Sequence, residues 1–227
     1  MPQPFLRLLP VIGLGLFFAQ PAQAEERFDV SLAGDHLGRI THTRSGGTQD
    51  LTLLLDSTPF GVFDGSYSGR TISTGAVARH SGRTRSTRKS RDVSMRTEGG
   101  ELREVALSPE AERTALTASA AVTGPVLDPV RAFGRLLETR ACPDGLRIYD
   151  GRRVGVLSLE EERREANRVT CHAAYRVSGG PGYLEPLGVS RLSVELIYDT
   201  NVSPWRLEQV GAKSGPFGLT LHRSANE

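Results

Sequence analysis

The chain has 227 residues, of which 28 are basic, 26 are acidic and 38% are hydrophobic. This near balance of charge therefore argues for no particular partner. The length suits one all-β domain or two small domains, and it is sufficient to bury a sizeable core.

The N-terminal segment has the features of a secretory signal peptide. Arg7 supplies a positive charge, residues 8–18 are mostly apolar, and Ala22-Gln23-Ala24 forms a small-residue cleavage site. The apolar run is too short to span a membrane, and no later stretch of about 18 apolar residues follows. We therefore expect cleavage after Ala24, a periplasmic location, and a single exported β domain over residues 25–227 with no membrane-spanning segment.

Alternation of apolar and polar residues predicts half-buried β-strands in several parts of the chain. Glycine-containing turn signals separate them, as in Gly34-Asp35 and Ser45-Gly46-Gly47. Residues 71–119 are polar and poor in large apolar side chains, which leaves two alternatives, long edge strands or a mobile segment. The alternating apolar positions towards the two ends are Phe28, Val30, Leu32, Leu51, Leu53, Leu55, Leu192, Val194, Leu196 and Tyr198.

One segment has the periodicity of an amphipathic helix. Asp128 is a favourable N-cap, Pro129 suits the first helical position, and apolar residues at helical spacing follow until Cys142-Pro143. Because strands precede and follow this helix, its apolar stripe needs a sheet to cover it. We therefore predict a mostly β fold: a single curved antiparallel sheet, shaped like a half-barrel, with one main helix on its concave face.

Strand signals dominate the C-terminal part. Residues 146–149 turn at Asp150-Gly151 into a strand over 153–159, and the charged run 160–165 is expected to form a loop before a strand over 168–177. Further strands are expected over 191–199, 205–210 and 217–222.

Cys142 and Cys171 are the two cysteines of the chain. An even count in an exported protein favours a disulfide, and the alternative is a pair of buried free thiols. Closing a loop of about 30 residues would stabilise the fold by roughly 3 kcal/mol in the chain-entropy model. Strand alternation places Cys171 on the core side. With no Cys-x-x-Cys motif, the pair is expected to be structural.

Several short motifs occur in a fixed order along the chain. They are Arg27 to Gly34, Leu127-Asp128-Pro129, Ala141-Cys142, Ile148 to Arg153, Val169-Thr170-Cys171, Tyr175-Arg176 and Leu196-Ile197-Tyr198. Their order resembles that of the exported bacterial proteins of the domain of unknown function 3108 family (DUF3108). The resemblance implies an envelope location, a curved β-sheet related in shape to periplasmic lipoprotein carriers, and no established catalytic residues.

The motif Asp150-Gly151-Arg152-Arg153 has two interpretations. It can form a polar site in which two guanidiniums bind a carboxylate or phosphate. Alternatively, it is a hairpin turn flanked by solvated arginines, which we favour because Asp-Gly is a strong hairpin signal.

The strongest local excess of positive charge lies between residues 79 and 91. On a strand, alternate residues would share one face and form a basic stripe that attracts anionic lipid headgroups. The alternative is a solvated edge strand protected from aggregation by its charges. Nucleic acid is disfavoured because no aromatic residues are interleaved for base stacking. The basic patch comprises Arg83, Arg85, Arg88, Lys89 and Arg91, and the residues predicted to share one face are Arg83, Arg85, Lys89 and Arg91 with Thr87.

Motifs for catalysis are not evident. The five histidines lack metal-ligand spacing, and the chain has no nucleophile elbow, phosphate loop or dinucleotide fingerprint. The sequence Ser86-Thr87-Arg88-Lys89 matches a motif of penicillin-binding serine enzymes. Those enzymes need the serine at the start of a helix, and this serine is not predicted to begin one. We therefore predict a non-enzymatic protein without catalytic residues, metal or cofactor.

Two functions remain in view. The first is a carrier of an apolar or lipid-like ligand, with Leu53, Phe133, Val156 and Trp205 lining a cavity on the concave face. The second is a structural or interaction protein of the envelope whose concavity is filled, with an envelope protein as its partner. A continuous apolar cavity of about 300 Å³ or more beneath the helix would favour the carrier.

Overall fold

The computed structural model describes residues 24–57, 64–86, 89–182, 188–215 and 217–225. The predicted signal peptide lies outside these residues, apart from Ala24, which begins the first strand. Among the residues described, no helix is long and apolar enough to cross a membrane.

Thirteen strands form one antiparallel sheet, which confirms the predicted fold class. The strand order is β7-β6-β5-β4-β3-β2-β1-β13-β12-β11-β10-β9-β8, so the first strand lies in the interior of the sheet beside the last. The strands are β1 Ala24–Leu32, β2 Asp35–Ser45, β3 Thr48–Leu55, β4 Gly65–Thr74, β5 Val77–Ser86, β6 Ser90–Glu98, β7 Glu101–Ser108, β8 Leu146–Tyr149, β9 Val154–Glu165, β10 Arg168–Gly179, β11 Arg191–Asp199, β12 Arg206–Ser214 and β13 Phe217–Arg223.

A bulge distorts the pairing of β1 with β2. Val30 pairs with Gly38 and Ser31 with His36, so Leu37 is the additional residue, and it is buried. Gly38 has φ of 154°, and a Cβ there would overlap the carbonyl oxygen of Leu54. Glycine is therefore required at this position of the bulge.

The described residues between 71 and 108 continue the sheet as strands, but the predicted edge position is wrong for most of them, because β4, β5 and β6 are paired on both sides and only β7 lies at the edge. Gly69 of β4 pairs directly with Gly82 of β5. A Cβ on Gly69 would lie 2.8 Å from Cγ2 of Val130, and one on Gly82 would lie 3.4 Å from the ring of Tyr67. The glycine pair thus leaves room for the tyrosine ring and for the helix against the sheet.

The single α-helix described, α1 Pro129–Leu137, follows the predicted start. The carboxylate of Asp128 accepts a hydrogen bond from the backbone N–H of Arg131 at 3.0 Å, as an N-cap does. The helix packs against strands from distant parts of the sheet, namely β2, β3, β4, β8 and β12. The ring of Phe133 meets that of Phe28 edge to face at 5.7 Å between centroids. The helix therefore occupies the concave side, as predicted.

The two edge strands, β7 and β8, are not paired with each other in the described part of the chain. Three short 3₁₀ helices at Glu110–Glu112, Ala115–Thr117 and Ser119–Ala121 lie between them. Val126 N–H donates to Gly100 O at 2.9 Å, and Leu127 forms a parallel bridge with Ile148. Residues 109–128, which we call the seam segment, therefore connect the two edges of an otherwise open sheet.

The predicted loop over residues 160–165 is wrong, because β9 continues to Glu165 and the turn lies at Ala166-Asn167. Within the strand, Arg163 pairs with Glu161 at 2.7 Å, and these residues two apart share a face. A solvated strand with alternating ion pairs tolerates a charge density that resembles a loop in sequence.

Cys142 and Cys171 form a disulfide, with Cα atoms 5.6 Å apart, which confirms the predicted pairing. Cys171 is fully buried in the main core. The bridge ties the chain just after α1 to the middle of β10, and so fixes the C-terminal end of the helix against the sheet.

Candidate functional site

The predicted cavity-lining residues divide into two groups. Leu53, Phe133 and Trp205 are partly buried and pack against the main core. Val156 does not join them, because it pairs with Arg176 of β10, an exposed residue on the outward face. Its neighbour Leu157 faces the core instead. The sequence did not distinguish the two faces because both carry apolar residues at this point.

Large side chains pack the concave side beneath the helix. Phe28 and Tyr198 are fully buried, and the Tyr198 hydroxyl donates to the carbonyl of Leu136 at 3.2 Å, near the end of α1. The ring of Trp205 lies 5.9 Å from that of Tyr198, and the guanidinium of Arg164 lies 5.2 Å from the Trp205 ring. Aromatic packing therefore joins the C-terminal end of the helix to β11 and to the tip of the β9–β10 hairpin.

A buried polar network, which we call the helix anchor, holds the other end of α1. Asp128 accepts hydrogen bonds from the Thr71 hydroxyl at 2.8 Å and from Nε of Arg131 at 2.6 Å. Arg131 also donates to Thr97 at 3.0 Å, and Nδ1 of His80 lies 2.9 Å from the Thr71 oxygen. The anchor thus joins the helix N-terminus to β4, β5 and β6.

Electrostatics keep the helix anchor in one protonation state. Burial lowers the pKa of His80 despite the nearby Asp128 carboxylate, because Arg131 already neutralises that carboxylate. Burial would raise the pKa of Asp128, but the Arg131 guanidinium and the hydrogen bonds that Arg131 and Thr71 donate to the carboxylate act in the opposite direction, and the pKa is lowered overall. A neutral imidazole therefore donates from Nδ1 to Thr71, whose own hydrogen goes to Asp128.

Thr71, His80 and Asp128 are the residue types of a nucleophile, a base and an orienting acid. Their order differs, however, since the threonine hydroxyl donates to the aspartate and not to the histidine. The His80 side chain is 1% exposed and that of Asp128 is 0% exposed. The geometry is that of an anchor between helix and sheet rather than that of an activated nucleophile.

The helix anchor was missed by the sequence analysis. Side chains of β5 alternate between the two faces of the sheet. The inward-facing residues are Ala78, His80 and Gly82, and the outward-facing residues include Arg79 and Arg83. That alternation was the available signal, and it was obscured because the inward residues are small or polar.

The prediction that the basic residues share one face of a single strand is wrong. The run is divided between β5, which ends at Ser86, and β6, which begins at Ser90, and Thr87 and Arg88 lie outside the described residues. Arg83 and Arg85 both bind Asp92, at 3.0 and 2.9 Å. Hydrogen bonds from these two arginines lower the pKa of Asp92. Lys89 and Arg91 contact Glu112 of the seam segment instead.

The turn at Asp150-Gly151 is confirmed, but its arginines are not solvated. Oδ1 of Asp150 accepts from the backbone N–H groups of Arg152 at 2.9 Å and of Arg153 at 3.0 Å. The two arginines are 7% and 4% exposed. Arg152 donates to the Glu112 carbonyl at 2.8 Å and pairs with the Glu112 carboxylate at 3.2 Å. The Arg152 guanidinium therefore holds the seam segment in place, whereas that of Arg153 donates to the carbonyl of Gly182 at 2.6 Å.

Two depressions lie on the outward face of the sheet, with volumes of about 440 and 400 Å³. Both are lined mainly by polar residues, and both include Thr52. They lie on the side of the sheet opposite α1. The first is lined by Asp50, Thr52, Ser68, Gly69, Arg70, Ser81, Gly82, Arg83, Asp92 and Val93, and the second by His36, Gly38, Arg39, Thr41, Thr52, Leu54 and Asp56.

The fold and these surfaces define a mostly β protein with an open 13-stranded sheet around one helix. No protein-family model matches the chain, so membership of the DUF3108 family stays a prediction, and no curated protein matches it. Among solved structures, the chain is similar to a beta-barrel-like protein of the domain of unknown function DUF1849 from Brucella abortus. The two share 13% identity and a TM-score of 0.49, over 90% of this chain and 96% of the other.

Proposed function

We propose that this chain is a non-enzymatic binding protein of the bacterial envelope that acts through its outer surface, with its interior filled by its own helix. The supporting observation is the placement of α1. Its N-terminal end is fixed by the buried Asp128 and its C-terminal end by the disulfide, with Phe133 packed on Phe28 between them. A helix held at both ends supports the core and leaves the sheet surface for recognition.

Export is tested by recovering the protein from the periplasm of a bacterial host and determining its mass. The proposal expects a chain beginning at Glu25, the residue after the predicted cleavage site. Retention of the whole chain in the cytoplasm would contradict the envelope location.

A carrier of an apolar ligand is the second candidate, because Leu53, Phe133 and Trp205 lie on the concave side and are only partly buried. Phe133→Ala separates the two functions. If the interior is filled, the substitution creates a cavity, and uptake of a fluorescent fatty acid should rise above that of the unmodified protein. If the interior carries ligand, the substitution removes part of the site and uptake should fall.

Val156→Ala is the matched control, since Val156 lies on the outward face and is expected to leave uptake unchanged. Native mass spectrometry of the unmodified protein adds an independent measurement. A bound apolar molecule that survives purification, together with reduced uptake by Phe133→Ala, would favour the carrier over the filled interior.

A further inference from the structure

We propose that the two outer depressions form one continuous trough that binds an uncharged, hydroxyl-rich chain, an oligosaccharide. The inference deepens the outer-surface role proposed above and rests on it. It names the chemistry of the ligand and the residues that would contact it.

The register of the sheet explains the trough. Thr41, Thr52 and Ser68 lie directly opposite one another on β2, β3 and β4, so three short side chains form a low row on one face. The first depression lies on one side of this row and the second on the other, and they meet at Thr52. The lining residues extend from β2 to β6, four strand spacings or about 19 Å. That length accommodates several units of a linear polymer.

Longer polar side chains border the low row. Asp50 and Arg70 pair across β3 and β4 through two hydrogen bonds of 2.7 and 3.3 Å. Arg83 pairs with Asp92 on the opposite side of the first depression at 3.0 Å. Each pair holds its donors and acceptors in place, so that they are ordered before a ligand arrives.

The charged residues that line the trough favour an uncharged ligand. The lining contains three arginines, Arg39, Arg70 and Arg83, and three aspartates, Asp50, Asp56 and Asp92. A phosphate or carboxylate would meet the aspartates, and a polycation would meet the arginines, so neither is favoured along the whole trough. Uncharged hydroxyl and amide groups can donate to the carboxylates and accept from the guanidiniums.

An extended peptide fits this surface less well than a glycan. Peptides usually join a sheet through the free backbone groups of an edge strand, whereas β2 to β6 are all paired on both sides. Among the lining residues Leu54 and Val93 are apolar, and the side chain of Val93 packs inward against buried core residues. Anchors for apolar peptide side chains are therefore few, and the polar groups dominate recognition.

Isothermal titration of the full mature chain with chitotetraose tests the proposal. Thr52→Arg places a long side chain where the depressions meet and should weaken binding at least tenfold. Thr52→Ser keeps the trough open and should bind like the unmodified protein. Ser158→Arg, at an exposed position of β9 outside the trough, controls for the added charge. Circular dichroism verifies that the variants fold.

Two results would overturn the inference: no saturable binding of chitotetraose, or equal binding by Thr52→Arg and the unmodified chain. Stronger binding to vesicles containing phosphatidylglycerol than to chitotetraose would also overturn it. These outcomes are distinguishable from failure of the proposed function, because fatty-acid uptake by Phe133→Ala reports on the interior alone.

Discussion

Replacing Asp128 tests the helix anchor most directly. Asp128→Ala removes the N-cap, worth about 1 kcal/mol, and leaves Arg131 without its partner, at a cost of roughly 3–5 kcal/mol for a buried pair. Because the Arg131 side chain is 17% exposed, water can partly solvate it, which favours the lower end. We expect a total loss of about 4 kcal/mol in the free energy of unfolding.

Asp128→Asn separates the two contributions. The amide oxygen can still accept from the Arg131 N–H and the Thr71 hydroxyl, so the cap is retained while the charge is lost. We expect a smaller loss, about 3 kcal/mol, from the ion pair alone. Urea denaturation near neutral pH, followed by tryptophan fluorescence, measures both variants. Asp29→Ala, which removes an exposed pair with Arg39, should cost no more than about 1 kcal/mol. An Asp128→Ala protein as stable as Asp29→Ala would refute the anchoring role.

The remaining predictions concern the disulfide, pH and the paired glycines. Replacing Cys142 and Cys171 by Ser should lower stability by roughly 3 kcal/mol, and thiol labelling of the unreduced, denatured parent should detect no free cysteine; two labelled thiols would contradict the bridge. Since burial lowers the pKa of His80, the unfolded chain binds more protons at low pH, so stability should fall as pH decreases below about 6.5. Denaturation from pH 8 to 5 should show a smaller fall for His80→Gln; an identical pH dependence would exclude this cause. Gly69→Ala should destabilise by about 1–3 kcal/mol because its Cβ meets buried Val130. Gly211→Ala, whose Cβ meets only ordinary contacts, should stabilise by about 0.4–1 kcal/mol, and equal melting temperatures for the two would refute the packing argument.

Local signals predicted the parts of the fold that depend on neighbouring residues. Asp128-Pro129 marks a helix start through a cap and a fixed φ, and both act within one turn of helix. The alternation around Cys171 likewise assigned it to the core, because strand periodicity is a property of the segment itself.

Contacts between residues that are distant in the sequence could not be predicted from local motifs. Asp150-Gly151 forms the same turn whether the following arginines point to water or inward. The contacts of Arg152 depend on Glu112, which lies 40 residues earlier in the seam segment. The identity of that partner follows from the route of the chain between β7 and β8, which the motif does not encode.

The orientation of the Val156 side chain is a second feature that the sequence pattern did not predict. The apolar residues of β9 fall on both faces of the strand, so alternation alone cannot identify the residues that face inward. These apolar residues are Val154, Val156, Leu157 and Leu159. Pairing with β10, including an irregularity between His172 and Ala173, selects Leu157 and Leu159. Pairing with the neighbouring strand therefore determines which side chains of β9 face inward.

The position of β1 beside β13 has a consequence for biogenesis. Phe28 pairs with Arg223, so the middle of the sheet is completed by residues almost 200 positions apart. Synthesis must approach its last strand before the first can gain its second neighbour, and closing so long a loop is slow. A nascent chain emerging from the ribosome therefore lacks a finished sheet until its last strand has been made.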